Sequence, residues 1–431
     1  METTMGKLII DGGIPLEGTV TPSGNKNAAL PLLAACLLTE EPVVLHNVPN
    51  IRDVETMRGL LESLGASVEQ LEGSAWRIHA RKVRSEDLDR ELCSRIRASI
   101  LLAGPLTARI GTCRLPPPGG DVIGRRRLDT HTLALTKLGA DVSYHRVEKE
   151  MRFEADGLRG ADILLDEVSV TATENTIMAA VTARGETVVR NAASEPHVQE
   201  LCLFLNELGA AIENIGSNTL HIQGVDRLQG GEHTIGPDYL EAVSYVGAAA
   251  VTRGSVRIER AGPQYLGMVR QVFNRLGVSW EVEGEDLLVD SSQRLEVRAD
   301  LDNSIPEISV MPWPSFPTDL MSIAIVVATQ SSGSVLFHDW MFEGRMYFTD
   351  KLKGMGARIV LCDPHRCIVQ GPTRLLPSNV ESPDIRAGLA LVLAALAADG
   401  QSVIRNVAQI DRGYENIDQK LASLGARIRR A

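Results

Sequence analysis

The sequence has no Cys-X-X-Cys pair, no excess of positive charge, and no apolar run near the roughly 18 residues a membrane span needs. Each absence removes a class of function. Its cysteines, Cys36, Cys93, Cys113, Cys202, Cys362 and Cys367, are scattered. Cys362 and Cys367 flank Asp363-Pro364-His365-Arg366, but no second pair completes a zinc site, so no metal is expected. Buried or incidental thiols in a reducing cytosol fit this usage. No membrane span is expected, and Met1-Glu2-Thr3-Thr4-Met5-Gly6-Lys7 lacks the basic start and apolar run of a secretory signal, so a cytoplasmic location is expected. A formal net charge of −11 argues against nucleic acid as the main partner. It does not argue against a small anion, which needs only a local basic pocket.

What is present is repetition. At intervals of roughly 70 residues a helical segment runs into one short phrase. The six are Leu64-Gly65-Ala66, Leu138-Gly139-Ala140, Leu208-Gly209-Ala210, Leu276-Gly277-Val278, Met355-Gly356-Ala357 and Leu424-Gly425-Ala426. Each reads as a helix stop: an apolar residue closes the buried face, Gly takes the left-handed position, and a strand follows. Out of phase runs a second element, an Ala-rich helix with no polar stripe, then a β-branched strand. Ala179–Gly185, Ala248–Gly254 and Ala394–Gly400 are examples, and such helices can be buried on all sides. Units of this length exceed the usual solenoid repeat of about 20–50 residues. They point to a pseudo-symmetric globular α/β architecture, and 431 residues exceed what one core usually supports.

Four segments depart from the repeat, and departures of this kind mark function. In Pro22-Ser23-Gly24-Asn25-Lys26-Asn27 a turn opens a helix whose first turn carries Lys26. Lysine is unfavourable beside the positive end of a helix dipole, which suggests an anionic guest. The segment Pro116–Arg127 is a Pro/Gly loop holding Asp121 ahead of Arg125, Arg126 and Arg127, guanidiniums able to clamp phosphate or carboxylate. Upstream, Arg95 and Arg97 begin an apolar helix and add to the same basic cluster. In Pro312–Asp319 three prolines lead to Asp319 at a helix start. That placement suits either an ordinary N-cap or a rigidly held general base. Finally, Asp384-Ile385-Arg386 and Ile410-Asp411-Arg412-Gly413-Tyr414-Glu415 each put an arginine at a helix entrance, where it reads as an anion contact.

Taken in order, these segments resemble the enolpyruvyl transferases. The resemblance runs the whole length, through Gly12-Gly13, Ser23–Asn27, Arg97–Ile100, Pro118–Gly120, Asp166–Val170, Phe316–Asp319, Phe342–Arg345, Asp384–Ala387 and Asp411–Glu415. The branch matched best acts on UDP-N-acetylglucosamine. The resemblance implies an α/β fold of two inside-out barrel domains, each of three pseudo-symmetric repeats. Residues 22–236 would form the N-terminal domain with the mobile loop 116–127. Residues 1–21 and 237–431 would form the C-terminal domain with Asp319 and Arg412. Phosphoenolpyruvate contacts are implied at Lys26, Arg126 and Arg412. Sugar-nucleotide contacts are implied at Asn27, Arg97, Arg126, Arg127, Leu128, Asp129, Thr130, Glu167, Val168, Ser169, Val170, Thr171, Asp319 and Met341, with Arg345 and Arg386 also on substrate. Asp319 would be the base and Asp121 the acid, with Lys26 and Arg412 in the catalytic set. The implied partners are small molecules alone, with no nucleic acid, membrane, metal or organic cofactor.

The chain departs from the family's usual residues in four places. Asp121 stands where most members have the cysteine that epoxide inhibitors of the fosfomycin type alkylate. Tyr239 replaces a frequent arginine, Glu167 and Thr171 replace a frequent lysine and glycine, and Leu101 stands where some members have tryptophan. Three readings stay open: transfer to UDP-N-acetylglucosamine, the same chemistry on another nucleotide or a shikimate-type acceptor, and a silent nucleotide-sugar-binding paralogue.

Overall fold

In a computed structural model, which describes residues 6–84 and 88–431, all six stop phrases take one hydrogen-bonded form. Each glycine has φ between 80° and 99°. Its N–H donates three residues back, and the next residue's N–H donates five back, as Gly65 to Glu62 and Ala66 to Leu61, both at 3.0 Å. This Schellman pairing satisfies carbonyls a helix end otherwise leaves bare. The Ala-rich helices end less uniformly. At Thr252 the left-handed position falls on Arg253, φ 58°, ahead of the expected glycine. Gly254 is needed for another reason: a Cβ there would lie 2.2 Å from the Leu16 carbonyl oxygen.

The chain divides into two compact units. Unit 1 comprises the residues up to Ser23, Val122–Arg125 and Pro237–Ala431; unit 2 comprises Gly24–Asp121 and Arg126–Gly236. Among the described residues each unit carries three separate sheets. Unit 1 centres on three helices, Tyr239–Thr252, Met321–Gln330 and Ile385–Ala397, buried nearly throughout and packed on one another. Small residues let their backbones approach. A Cβ on Gly247 would sit 2.7 Å from Ile323 and 3.1 Å from Leu393. In unit 2 the central helices are Lys26–Ala35, Ala103–Ile110 and Val170–Ala180.

The sheets share one pattern, a parallel pair extended by two antiparallel strands. In unit 1, Glu307–Ser309 lies parallel to Gly333–His338, which is antiparallel to Arg366–Gly371, itself antiparallel to Arg358–Asp363. Leu8–Asp11 pairs antiparallel with Gln401–Arg405 and Arg427–Arg430, with Leu8 opposite both Ile404 and Arg430. Leu8 and Ile10 are buried while their neighbours are half-exposed, so each sheet turns one face inward. The exception is Thr112–Leu115, Glu150–Glu154 and Asp141–His145, a sheet of three strands without the parallel partner. The inside-out α/β arrangement is thus present as helices enclosed by separate sheets. No helix among the described residues is long and apolar enough to cross a membrane. The signal-sequence reading of Met1–Met5 lies outside the described residues.

Two parallel strands are supplied by segments next to the points where the chain leaves one unit for the other. Glu17–Val20 pairs with Ser255–Ile258 in unit 1, and Gly231–Thr234 pairs with Val43–His46 in unit 2. On the second, His233 holds Glu207 at 2.7 Å and Glu200 at 3.4 Å, and Glu200 accepts from the Gly236 N–H at 2.8 Å. Burial disfavours charge on His233, but the two carboxylates outweigh it and raise its pKa. A group raised in the folded state stabilises fully below its unfolded pKa, about 6.5, and the contribution fades as pH rises past the folded value. His233→Gln is therefore expected to lower the melting temperature clearly at pH 6 and progressively less at alkaline pH. A difference that stays constant across a pH series of thermal melts would show that charge is not what His233 contributes.

Candidate active site

In unit 2, Asn25 caps the Lys26–Ala35 helix, its side-chain oxygen accepting from the N–H groups of Asn27 at 2.8 Å and Ala28 at 3.1 Å. Lys26 is the first helical residue, as expected, and is buried. Its ammonium is 2.8 Å from the Asp53 carboxylate, itself buried on the Arg52–Ser63 helix. The unfavourable lysine at the dipole's positive end thus has a protein anion beside it. Asn27 is half-exposed in the same turn.

The Lys26–Ala35 helix packs on the 3-10 turn Arg97–Leu102. Arg95 does not join that turn: it closes the separate helix Arg90–Arg95 and pairs with Glu91. Arg97 donates to the carbonyls of Arg126 at 2.9 Å and Arg127 at 3.0 Å. Burial, then the nearby charge of Arg126, push Arg97 down to about 10, against the pull of Glu167. A guanidinium disfavoured in this way gains from an arriving anion. The base of the loop fits closely here. A Cβ on Gly119 would lie 1.7 Å from the Ser94 carbonyl oxygen, and one on Gly120, φ 101°, would lie 2.8 Å from Arg97. Asp121 follows, half-exposed.

The two expected sugar-nucleotide runs lie side by side, because the helices they open, Asp129–Lys137 and Val170–Ala180, pack together. Asp166 accepts from the Thr130 hydroxyl at 2.7 Å and lies 3.6 Å from Arg127, which also bonds Asp129 at 3.0 Å. Leu128, Val168 and Val170 back onto the core. Ser169 caps the second helix, accepting from Ala172 N–H at 3.4 Å, and Glu167 is exposed. Thr171 is fastened to His131 at 3.2 Å, whose other ring nitrogen faces the Asn175 amide at 2.9 Å. Burial, then the charge of Arg97, push His131 down to about 3, so it is a neutral brace. Nothing in the sequence marks Asp53 or His131, and Asp166 stands there only as the start of the Asp166–Val170 segment, without a role of its own. Each sits on a helix or turn where it reads as ordinary.

In unit 1, Asp319 lies in the 3-10 turn Thr318–Leu320, just before Met321–Gln330. Neither element has a side-chain cap, which corrects the N-cap alternative. The carboxylate instead sits between two arginines, Arg386 buried and Arg345 partly so. Arg345 reaches Oδ1 at 2.6 Å, and Arg386 reaches Oδ2 through Nε at 3.2 Å and Nη2 at 3.1 Å. Arg386 thus contacts an anion from a helix entrance, as expected of it, but the anion belongs to the protein. Buried Asp339 ties the surrounding turns together. It accepts from the Thr318 hydroxyl at 2.6 Å and from the N–H groups of Met341 at 3.1 Å and Phe342 at 3.3 Å. Burial raises its pKa despite those donors. Met341 is half-buried against the core. Tyr239 is buried edge-on to Trp313 in the proline approach, with ring centroids 6.3 Å apart. Arg412 ends the 3-10 helix Val407–Arg412 rather than opening a helix, and donates to Gln409 at 3.0 Å. Also in this unit, buried Ile123 accepts from the Gly344 N–H at 2.8 Å, and Arg125 N–H donates to Glu343 at 3.1 Å.

A family profile described as EPSP synthase (3-phosphoshikimate 1-carboxyvinyltransferase) matches residues 10–421. The UDP-N-acetylglucosamine 1-carboxyvinyltransferase of Bradyrhizobium diazoefficiens is 56% identical over 422 residues, 98% of this chain and 97% of its own. The protein of the same name from Treponema denticola is 54% identical over 424 residues, 98% of this chain and 99% of its own. Among solved structures, the enolpyruvyl transferase NikO from Streptomyces tendae superposes with TM-score 0.88 at 23% identity, covering 100% of this chain and 99% of its own. An EPSP synthase from Acinetobacter baumannii superposes with TM-score 0.76 at 17% identity, covering 99% of this chain and 100% of its own. These two share the fold.

Proposed function

The chain belongs to the family of UDP-N-acetylglucosamine 1-carboxyvinyltransferases, and from that membership we propose that it transfers enolpyruvate from phosphoenolpyruvate to the 3-hydroxyl of UDP-N-acetylglucosamine, releasing phosphate. The observation that carries the chemistry is the Asp319 carboxylate, partly exposed and pinned at both oxygens by Arg345 and Arg386. A base must be held within reach of one proton, and two guanidiniums fix its direction.

The reaction is an addition followed by an elimination. The sugar oxygen bonds to C2 of phosphoenolpyruvate as its proton passes to Asp319, and Asp121 delivers a proton to the C3 methylene. The adduct then breaks its C2–O bond to phosphate while C3 returns a proton, restoring the double bond in the product. Lys26, Arg126 and Arg412 are assigned to the phosphate and carboxylate, whose charge they offset. Arg97, Asn27 and the runs 126–130 and 167–171 are assigned to the sugar nucleotide. This reading places the protein in the cytoplasm, at the first committed step of peptidoglycan precursor synthesis.

Phosphate release on mixing the protein with phosphoenolpyruvate and a panel of acceptors tests it. Release is expected with UDP-N-acetylglucosamine and not with shikimate 3-phosphate, the acceptor gaining an enolpyruvyl ether by mass. Release with another acceptor would reassign the substrate. Binding of UDP-N-acetylglucosamine without release would make the chain a silent binding paralogue.

A further inference from the structure

We propose that Tyr414 is a positioning residue for Asp319, acting through Arg386. The proposal rests on the assignment of Asp319 as base and extends it to a side chain without a role in that scheme. Tyr414 is 2% exposed. Its hydroxyl accepts from Arg386 Nη1 at 2.9 Å, and the guanidinium carbon lies 5.4 Å from the centre of its ring. Arg386 spends its remaining edge, Nε and Nη2, on Oδ2 of Asp319. One side chain therefore sets the plane of the guanidinium, and that plane sets one oxygen of the base.

Arg386 can only donate, so Tyr414 accepts there, and its hydroxyl also lies within hydrogen-bonding reach of Ser244. The Ser244 hydroxyl in turn donates to the Leu240 carbonyl at 2.8 Å, inside the buried Tyr239–Thr252 helix. A rigid helix thus anchors the base through three polar links. Filling space alone does not explain the hydroxyl, because phenylalanine would keep the ring and its contact with Arg386.

Tyr414→Phe removes only the oxygen. Arg386 Nη1 then loses its buried acceptor, the guanidinium turns to recover one, and Oδ2 of Asp319 loses its hold. Because misplacement of a reacting group costs rate, kcat is expected to fall about tenfold or more while KM for phosphoenolpyruvate changes little. The ionised form of Asp319 is also less favoured, so the acid limb of the kcat/KM profile moves to higher pH. Tyr414 lies two residues beyond Arg412, so the alternative is a role in shaping that segment. A rise in KM for phosphoenolpyruvate with an unmoved acid limb would establish that alternative and overturn the proposal. Ser244→Ala, which removes the next link, is expected to move the limb in the same direction by less; it decides the matter if Tyr414→Phe does not fold, an unmoved limb then overturning the proposal. Asp319→Asn is measured alongside. Full activity in that variant overturns the base assignment, whereas lost activity there with an unmoved limb in the other two overturns the positioning role alone.

Discussion

Asp319→Asn is expected to fold and to lose turnover by about 10²- to 10⁴-fold, the contribution of a positioned general base. The amide keeps an acceptor for one of the two arginines, turns an NH2 group toward the other, and cannot take the sugar's proton. Asp319→Ala is a different experiment. Read as a helix cap, Asp319 would cost about 1 kcal/mol on removal. The structure makes it the counter-ion of two arginines whose side chains are 9% and 5% exposed. Leaving buried charges without their partner costs about 3–5 kcal/mol. Steady-state phosphate release and thermal unfolding are measured on both variants: activity is lost in both, and stability is lost in both and further in the alanine form, which keeps no acceptor for either arginine. Near-normal turnover in the asparagine form would remove Asp319 from the mechanism.

Resistance to epoxides of the fosfomycin type is the second large effect expected. These inhibitors need a thiolate at the loop position that Asp121 occupies, and a carboxylate is a far poorer nucleophile toward an epoxide. The other cysteines offer no substitute. Burial, chiefly, pushes Cys93, Cys202 and Cys367 up to about 12, and Cys36 and Cys113 higher still. Cys113 is nearer the loop in sequence, but it is the carbonyl of Cys93 that accepts from Gly119 N–H, at 3.0 Å, and the Cys93 side chain is wholly buried. Cys362, the exposed one, lies on the Arg358–Asp363 strand. Asp121→Cys should retain turnover and become sensitive, because thiol and carboxyl can each deliver a proton. Intact mass and inactivation rate after incubation with fosfomycin decide it. An adduct with lost activity in the unaltered protein would show that position 121 does not face the reacting carbon.

What was legible in the sequence was local. A helix stop is written in three consecutive residues, and all six were readable because left-handed glycine needs no distant partner. The buried helices showed as runs without a polar stripe. At the site the residue types were legible and their pairings were not. Thr130 and Asp166 are 36 residues apart, and Asp319 and Arg386 are 67 apart. No local pattern encodes which carboxylate a lysine or arginine will meet. Lys26 at a helix start calls for an anion, but nothing local says that Asp53 stands beside it. Thr318-Asp319 carries a good capping signature that the two arginines override. Arg412 was placed at a helix entrance because a short 3-10 turn leaves no periodic trace of its direction.

The return of both chain ends to unit 1 has a consequence for how the chain is made. Unit 2 can close its sheets once Gly231–Thr234 is available to Val43–His46. Unit 1 cannot, because Leu8–Asp11 must find Gln401–Arg405 and Arg427–Arg430, and Glu17–Val20 must find Ser255–Ile258. Emerging from the ribosome at about 5–20 residues per second, the chain keeps its first strand waiting for roughly 20–80 s. During that wait Leu8-Ile9-Ile10 is an unpaired apolar edge, the kind of segment that invites pairing with another nascent chain. A strand that leaves the tunnel well before its partners is thus among the last to be secured, and chaperone demand should peak while the second half is still being translated.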